Sequence, residues 1–435
     1  MKNKFKPISI SLSPNIEPDD VRLALNLIIR PWLWRKGLKN KESGINKLEE
    51  EFKRYLGVKY AFSFNSGRSA FFAILKTLGL DKNRHVFLQA FTCNAVVNPV
   101  LWAGLNPVYI DCDKDSFNID IEDLEKKINS LKIEGKPPRV LVIQHTFGLP
   151  SNMDILMPFA RKNNLIVIED CAHSLGSEFK GQKVGTFGKA AFFSFSRDKV
   201  ISSVYGGIAV TNDDRIGQNL KRAQADFGMP SRFWIFQQIL HPIFLNYVVL
   251  PIYAFLDLGK IFLVLSQWLN ILSKAVHWKE KRGLRPDYFP KAMPNALAVM
   301  ALNQFLKLDK FYRHRKSRSR FYYDNLKGTS FSLHRFSSIE ELSLKNIKHS
   351  FLRFTVRHKR AHEIIYEAWH NQNILLGDWY TTPIAPHDTN MKDMKYKKGS
   401  CKNAEELAKT TLNLPTHINI SQKDEERIIN FLKKF

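Results

Sequence analysis

Between residues 60 and 211 the chain alternates short apolar segments with longer stretches of helical periodicity. Each apolar segment has the length of one strand and is followed by polar or small residues that end it. Strands that alternate with helices pair mostly in parallel, with helices on both faces of the sheet. The pattern therefore predicts an α/β fold. The predicted strands are 60–64, 86–89, 107–111, 140–143, 165–169, 190–194 and 207–211.

Polar residues stand at the carboxyl ends of five of these predicted strands. They are Asn65-Ser66-Gly67, Thr92, His145, Asp170 and Ser194. In an open, mostly parallel sheet the carboxyl ends of the strands share one edge, and ligands bind outside that edge. The sequence therefore predicts a binding site that is formed by these strand ends.

Two of the candidate residues are an acid and an amine. Asp170 closes the apolar run 165–168, and Lys199 follows the apolar strand 190–194, so burial would deprive both groups of water. This pair suits pyridoxal phosphate, which needs an amine for its aldehyde and a carboxylate to keep its ring nitrogen protonated. His173 shares a helical face with Asp170 and would contact the cofactor ring. Plain structural roles stay open: a helix cap, a core histidine and a solvated lysine.

Residues 64–70 combine a strand end, a glycine turn and the start of a helix. Such a start directs unpaired backbone N–H groups and a hydroxyl at one place, where a phosphate would be held. An ordinary capped helix is the alternative, because Ser and Gly are common at helix starts.

The chain has 66 Lys and Arg against 41 Asp and Glu, a formal net charge of +25. That balance favours an anionic ligand or surface, and by itself it leaves nucleic acid, acidic lipid and phosphorylated substrates open. The four cysteines form no Cys-x-x-Cys pair, which predicts a reduced, cytoplasmic protein without a zinc site. The first residues have no signal-peptide pattern, and no apolar run is long enough to span a membrane.

We expect four parts: an N-terminal arm and helix (1–56), a large cofactor-binding domain (57–222), an insert (223–285), and a helix linker with a small α+β domain (286–435). The insert is apolar, is flanked by Trp and basic residues, and is divided by Pro242 and Pro251 into pieces too short to span a bilayer. This composition predicts peripheral attachment to an anionic surface, the inner face of the cytoplasmic membrane. The alternative is packing against the body or a dimer interface.

Several ordered motifs extend through most of the chain. The most specific are Ile168-Glu169-Asp170-Cys171-Ala172-His173, Lys180-Gly181 with Val184-Gly185 and Phe187-Gly188, Phe193-Ser194-Phe195 followed by Lys199, and Leu414-Pro415-Thr416-His417. Together they resemble the DegT/DnrJ/EryC1/StrS family of pyridoxal-phosphate-dependent sugar aminotransferases. The resemblance implies the aspartate aminotransferase fold (fold type I), with a mostly parallel central sheet and a smaller α+β C-terminal domain.

The resemblance also implies roles. Lys199 would form the Schiff base and move the proton, Asp170 would pair with the pyridine nitrogen, and His173 would lie near the phenolic oxygen. The implied cofactor-binding residues are Ser66, Gly67, Arg68, Ser69, Cys93, Asp170, His173, Ser194 and Lys199. The implied reaction takes an amino group, often from glutamate, to a nucleotide-linked or lipid-linked keto sugar for polysaccharide or glycoconjugate synthesis. A homodimer is expected, and no nucleic acid partner.

Three positions depart from the family pattern. Cys93 stands where many members have an aromatic ring on the cofactor, and Arg68 replaces a threonine of the phosphate cradle. Pro290, which has no N–H, falls in the segment whose asparagine reaches the neighbouring subunit's phosphate. Two alternatives stay open. One is a non-catalytic membrane-associated protein with this fold, and the other is a sugar dehydratase, although the resembling dehydratases have histidine at the lysine position.

Overall fold

The computed structural model describes residues 5–35, 42–133, 139–334 and 338–435. Residues 1–4 and 36–41 of the expected N-terminal arm lie outside these ranges. The strands are β1 (Ile8–Ser9), β2 (Tyr60–Phe64), β3 (His85–Gln89), β4 (Thr92–Cys93), β5 (Asn106–Ile110), β6 (Val140–Gln144), β7 (Ile166–Asp170), β8 (Glu178–Phe179), β9 (Gln182–Lys183), β10 (Ala190–Ser194), β11 (Gly207–Thr211), β12 (Ser332–Leu333), β13 (Ile347–Lys348), β14 (Phe354–Arg357), β15 (Ile374–Leu375), β16 (Ile384–Ala385) and β17 (Thr411–Leu414). The α-helices are α1 (Pro18–Ile28), α2 (Gly44–Leu56), α3 (Gly67–Thr77), α4 (Asn94–Trp102), α5 (Ile121–Ile133), α6 (Met153–Lys162), α7 (Asp214–Asp226), α8 (Arg232–Phe244), α9 (Leu258–Trp268), α10 (Asn295–Phe305), α11 (Leu308–Leu326), α12 (Ile339–Leu344), α13 (Ala361–Gln372), α14 (Lys402–Thr410) and α15 (Gln422–Leu432).

Seven strands form the central sheet, in the order β2-β11-β10-β7-β6-β3-β5. Neighbouring strands are parallel except at β11, which is antiparallel to both β10 and β2. The register places Asp170, the last residue of β7, beside Gln144 on β6 and Phe192 on β10. The predicted α/β fold with a mostly parallel sheet is confirmed. The strand ends lie along one edge, which we call the rim.

Helices cover both faces of this sheet because successive strand residues point to opposite faces. Phe193 packs in one core together with residues of α2 and α10, among them Leu48 and Phe52 at helical spacing. Its neighbour Phe192 packs in the other core, where its ring lies 4.7 Å from that of Phe71 on α3. The two cores therefore hold the rim from both sides.

A second, smaller unit follows α10. Strands β12, β14 and β17 form an antiparallel sheet that packs with buried residues of α11, α13 and α15. Two short pairings connect this part to the rest: β1 of the arm is parallel to β15, and β16 is parallel to β4. The second pairing sets Ala385 beside Cys93 and so holds the loop between β15 and β16 against the rim.

The insert has two different helices. α8 buries Trp234, Ile235 and Ile239 in the core that contains Phe193. In α9 only Gly259 and Ser266 are buried, and the chain then returns to the rim. The expected boundary between residues 222 and 223 falls inside α7, and the division into four parts stays a prediction. Within the described ranges every helix is too short or too polar to cross a lipid bilayer.

Candidate active site

A cavity of about 270 Å³ opens at the rim. Its lining contains seven of the nine predicted cofactor-binding residues, which are Gly67, Arg68, Cys93, Asp170, His173, Ser194 and Lys199. The other two, Ser66 and Ser69, are buried and do not line it. The structure thus brings together the acid, the amine and the helix start that were predicted from separate parts of the sequence.

Asp170 is buried at the end of β7, and its Oδ1 accepts a hydrogen bond of 2.9 Å from the N–H of Ala172. Burial raises the pKa of Asp170 to about 6, while that hydrogen bond and the charge of Lys199 act in the opposite direction. The carboxylate is therefore mostly ionised at neutral pH but poorly solvated. A buried carboxylate of this kind stabilises a cationic ring nitrogen placed opposite it.

Lys199 lies in the turn between β10 and β11. Burial lowers the pKa of Lys199 to about 8, although the neighbouring Cys93 and Asp170 favour the charged form. Its Nζ lies 4.5 Å from the centre of the Trp379 ring. An amine with this pKa has an appreciable neutral fraction near neutral pH, which is the form that attacks a carbonyl carbon.

His173 is held in one tautomer. Its Nδ1 accepts the N–H of Phe147 at 3.2 Å, so the hydrogen is on Nε2, 3.4 Å from the hydroxyl oxygen of Tyr380. Burial, together with the charge of Lys199, keeps the pKa of His173 well below its usual value. His173 is therefore a neutral imidazole with a planar face and one N–H for contact with a ring or its oxygen.

The start of α3 forms the other end of the cavity. Ser66 caps the helix by accepting the N–H of Ser69 at 3.0 Å, and the Ser69 hydroxyl donates to Asn65 Oδ1 at 2.7 Å. Both hydroxyls are thus engaged in shaping the turn. Gly67 packs so closely on β10 that a Cβ there would come within 2.9 Å of the Cβ of Ser194. First-turn N–H groups have no partner within a helix, and here they open beside the Ser194 hydroxyl, which fits a phosphate.

Arg68 is not a free charge. It forms an ion pair with Glu280, and its Nη2 also donates to the carbonyl of Ala275 at 3.2 Å. Burial lowers the pKa of Arg68, but the Glu280 carboxylate together with Tyr205 and Tyr288 raises it, and the net pKa is raised. The residue that departs from the family pattern is therefore neutralised by a residue of the insert.

Residues 273–280 of the insert form part of the cavity wall. The Tyr205 hydroxyl donates to the carbonyl of Lys274, and Ala275 lines the cavity. Asn98 on α4 donates to the carbonyl of Glu280 at 3.0 Å. Sequence reasoning missed this wall. The available signal was a single acid, Glu280, between basic residues. It is matched by a single arginine in residues 64–70, which we call the phosphate turn because a phosphate is expected there.

The aromatic surface of the cavity comes from the C-terminal part of the chain rather than from position 93. Cys93 Sγ accepts the N–H of Ala95 at 3.5 Å as the cap of α4. Trp379 stacks on His173 with ring centres 5.1 Å apart, and the guanidinium carbon of Arg353 lies 3.4 Å from the centre of the Trp379 ring. Trp379, Tyr380 and Arg353 were not predicted, because they lie in loops with no local motif.

Residues 288–291, which contain Pro290, contact the start of α3 in their own chain. The backbone N–H of Asn65 donates to the carbonyl of Lys291 at 2.9 Å, and Asn65 Nδ2 donates to the carbonyl of Tyr288 at 2.7 Å. The segment therefore supports the phosphate turn from behind through backbone carbonyls.

His145, Glu169 and Cys171 are close enough together to hold a metal ion. Donor atoms of His145 and Glu169 are already engaged in protein contacts: His145 Nδ1 accepts the N–H of Ser151, and Glu169 accepts backbone N–H groups of Gly185, Phe187 and Gly188. The bonds of Glu169 hold the turn 185–188 against β7. His145 and Glu169 therefore support the strand that carries Asp170.

A type I fold whose rim brings a buried acid, a lysine and the start of a helix into one cavity is typical of a pyridoxal-phosphate-dependent transferase. The chain belongs to the DegT/DnrJ/EryC1/StrS aminotransferase family, whose model matches residues 32–238 and 282–433. The family model leaves residues 239–281, most of the insert, unmatched.

Individual proteins are also similar to the chain. An uncharacterized protein of Methanocaldococcus jannaschii is 26% identical over 396 residues, 89% of each chain. The GDP-perosamine synthase of Caulobacter vibrioides is 32% identical over 243 residues, 55% of this chain and 62% of the enzyme. Helicobacter pylori PseC, an aminotransferase involved in pseudoaminic acid biosynthesis, has the same fold, with a TM-score of 0.71, 21% identity and 99% of each chain covered.

Proposed function

We propose that this protein is a pyridoxal-phosphate-dependent aminotransferase that transfers an amino group from glutamate to a keto sugar for polysaccharide or other glycoconjugate synthesis. Family membership supports the reaction class, and the similarity to GDP-perosamine synthases supports a nucleotide-linked sugar as acceptor. The observation that carries the proposal is that Asp170 and Lys199 line one cavity together with Gly67 and Ser194.

Each residue has a distinct role. When bound, the cofactor supplies an electron sink next to the carbon that exchanges its amine. Asp170 holds the proton on the ring nitrogen, and His173 contacts the ring and its oxygen as a neutral donor. Lys199 holds the cofactor through its amine and, once released, carries the proton to and from the reacting carbon. The start of α3 and Ser194 anchor the phosphate.

The absorbance spectrum of purified protein with added pyridoxal phosphate tests this proposal. We expect a visible band from cofactor attached covalently to Lys199, bleached by glutamate and restored by the keto sugar. Lys199→Ala should lack the band. A wild-type protein without a band, or with a band that glutamate does not change, would contradict the proposed reaction.

A homodimer is part of the proposal. Leu25 on α1, Ile29 directly after the end of that helix, and the nearby Trp32 are large apolar residues exposed on the surface. A cluster of exposed apolar side chains is typical of an interface between subunits. Light scattering of the wild type should give the mass of a dimer, and Ile29→Glu with Trp32→Glu should give that of a monomer. A wild-type monomer would remove this part of the proposal.

Peripheral membrane binding is the proposed role of α9. Its exposed apolar residues form the α9 surface, defined as Ile261, Phe262, Val264, Leu265, Trp268 and Leu269. A helix of 11 residues is about 16 Å long, far short of the roughly 30 Å hydrocarbon core, which favours lying at the interface. Lys274 and Arg285 nearby in the sequence are exposed and lack a carboxylate within ion-pair distance among the described residues. A net charge of +25 supports an anionic partner.

Flotation with lipid vesicles separates membrane binding from simple stickiness. The wild type should float with vesicles that contain anionic lipid and remain unbound with neutral vesicles, and high salt should weaken the binding. Equal binding to both kinds of vesicle, or to neither, would contradict an anionic membrane as the partner.

A further inference from the structure

Arg197 lies in the cavity beside the phosphate turn. It follows Ser194 by three residues, precedes Lys199 by two, and lines the cavity together with both. The start of α3 reaches the same region through Arg68, and both guanidinium groups lie within 6 Å of the Tyr205 ring. Arg197 therefore belongs to the end of the cavity where the phosphate-binding groups meet.

The insert fixes the orientation of Arg197. Its Nη2 donates to the backbone carbonyl of Ser273 at 2.6 Å and to the Ser273 hydroxyl oxygen at 2.8 Å. The Ser273 hydroxyl in turn donates to Gln238 Oε1 on α8 at 2.8 Å. A guanidinium group that a rigid element holds through one nitrogen presents its remaining donors in a fixed direction. Less conformational entropy is then lost when a ligand binds.

Arg197 forms no direct ion pair among the described residues, although the neighbouring Asp198 carboxylate favours its charged form. Arg68 forms an ion pair with Glu280, whereas no described carboxylate lies within ion-pair distance of Arg197. Its Nε is shielded from solvent and has no hydrogen-bond partner among the described residues. A shielded, unpaired donor on a cation is costly, and other arginine nitrogens of this chain share that state, so it is the place of Arg197 in the cavity lining that points to a ligand.

We propose that Arg197 binds a phosphate group in this cavity, through a charge-assisted hydrogen bond from a planar donor fork. The proposal rests on the proposed function, because it takes the cavity as the cofactor and sugar site. Two sources carry this chemistry: the phosphate monoester of the cofactor and the diphosphate of an activated sugar.

The test compares Arg197→Gln with Arg222→Gln, which removes the same charge from an exposed position on α7. The probes are pyridoxal phosphate, pyridoxal without its phosphate, and uridine diphosphate, titrated by absorbance or calorimetry. Loss of one hydrogen bond to a charged group should weaken the affected probe about 10- to 100-fold in Arg197→Gln, with no change in Arg222→Gln. Arg197→Lys, which keeps the charge but not the fork, should fall between and guards against misfolding of the glutamine variant.

The pattern of loss identifies the source. Weaker pyridoxal phosphate with unchanged pyridoxal supports the cofactor phosphate, and weaker uridine diphosphate alone supports the sugar diphosphate. Unchanged affinity for both phosphate probes in Arg197→Gln overturns the proposal while leaving Lys199 chemistry intact. Absence of covalently bound cofactor in the wild type instead overturns the proposed function itself, and with it the inference that rests on it.

Discussion

The rim of the central sheet and the insert are both built on apolar sequence, but they use it differently. At the rim, polar groups such as Asp170 stand at the ends of apolar strands, so the sheet topology alone places them. In the insert, α8 buries its Trp234, whereas α9 exposes 64% of Val264 and 75% of Trp268. Apolar composition therefore indicates burial where the residues belong to a regular sheet covered by helices. In an irregular segment, burial of an apolar face depends on what packs against it.

A buried ion pair between Arg68 at the rim and Glu280 in the insert joins the two regions, together with several hydrogen bonds. Variants on either side should consequently have separable effects. Rim variants should remove chemistry and leave the fold, the ion-pair variant should weaken the fold, and variants of the α9 surface should do neither.

The largest effect is expected for Lys199→Ala, which removes the amine that holds the cofactor and moves the proton. Loss of a nucleophile that acts as part of a unit lowers the rate by about 10⁴-fold or more. The measurement is the steady-state rate of amino transfer from glutamate to a nucleotide-linked keto sugar. Lys221→Ala, an exposed lysine on α7, should keep the wild-type rate. A Lys199→Ala rate within tenfold of wild type would place the chemistry elsewhere.

The next effect concerns stability at the junction. Glu280→Gln leaves the buried Arg68 charge without its carboxylate, and breaking a buried ion pair costs about 3–5 kcal/mol. The free energy of unfolding, from urea denaturation, checks this value. The exposed pair of Lys59 and Asp214 is the matched control, since Asp214→Asn should leave stability unchanged.

A companion variant sharpens that result. Replacing both partners, as Glu280→Gln with Arg68→Met, should recover part of the lost stability because no unpaired charge remains buried. If the double variant loses as much free energy of unfolding as the two single variants together, Arg68 and Glu280 act independently. Their ion pair would then not be what joins the rim to the insert.

These two regions also differ in how far the sequence predicts them. The alternation of strands and helices, and the placing of Asp170 and Ser194 at one edge of the sheet, followed from periodicity, because the carboxyl ends of parallel strands share one edge. Lys199 was added from the chemistry of the cofactor and the family resemblance. The Arg68–Glu280 pair did not, since it joins residues far apart in the chain through an insert without a periodic pattern. Trp379 was missed for the same reason, because it lies in a loop that only the β16–β4 pairing brings to the rim. Long-range contacts of irregular segments need the tertiary structure.

Asp170→Asn should reduce the rate of amino transfer by about 10²- to 10³-fold, the usual cost of losing one preorganised electrostatic contact. The amide keeps the shape and the contact with Ala172 but no longer holds the proton on the ring nitrogen. Covalent attachment through Lys199 should persist, so the visible absorbance band remains while turnover falls. A variant that loses the band together with turnover would indicate a role of Asp170 in cofactor binding alone.

The pH dependence of cofactor attachment gives a smaller effect. Burial lowers the pKa of Lys199 to about 8. As the pH rises toward that value, the fraction of neutral amine increases about tenfold per pH unit, and above it the fraction levels off. The rate of attachment to cofactor-free protein, followed by stopped-flow absorbance, should rise in the same way. A midpoint near the usual lysine pKa of about 10.4 would contradict a buried, neutralised amine.

The smallest effect on catalysis is expected for the α9 surface. Leu265→Ser with Trp268→Ser removes apolar area from residues that do not line the cavity, so amino transfer in solution should be unchanged, while binding to anionic vesicles should fall at least several-fold. The matched control is Ile133→Ser with Leu344→Ser, which are both 88% exposed outside the insert. Because both variants lose exposed apolar residues, a difference between them isolates position from hydrophobicity. Equal loss of vesicle binding in the two variants would mean that apolar exposure in general, rather than α9, brings the protein to lipid.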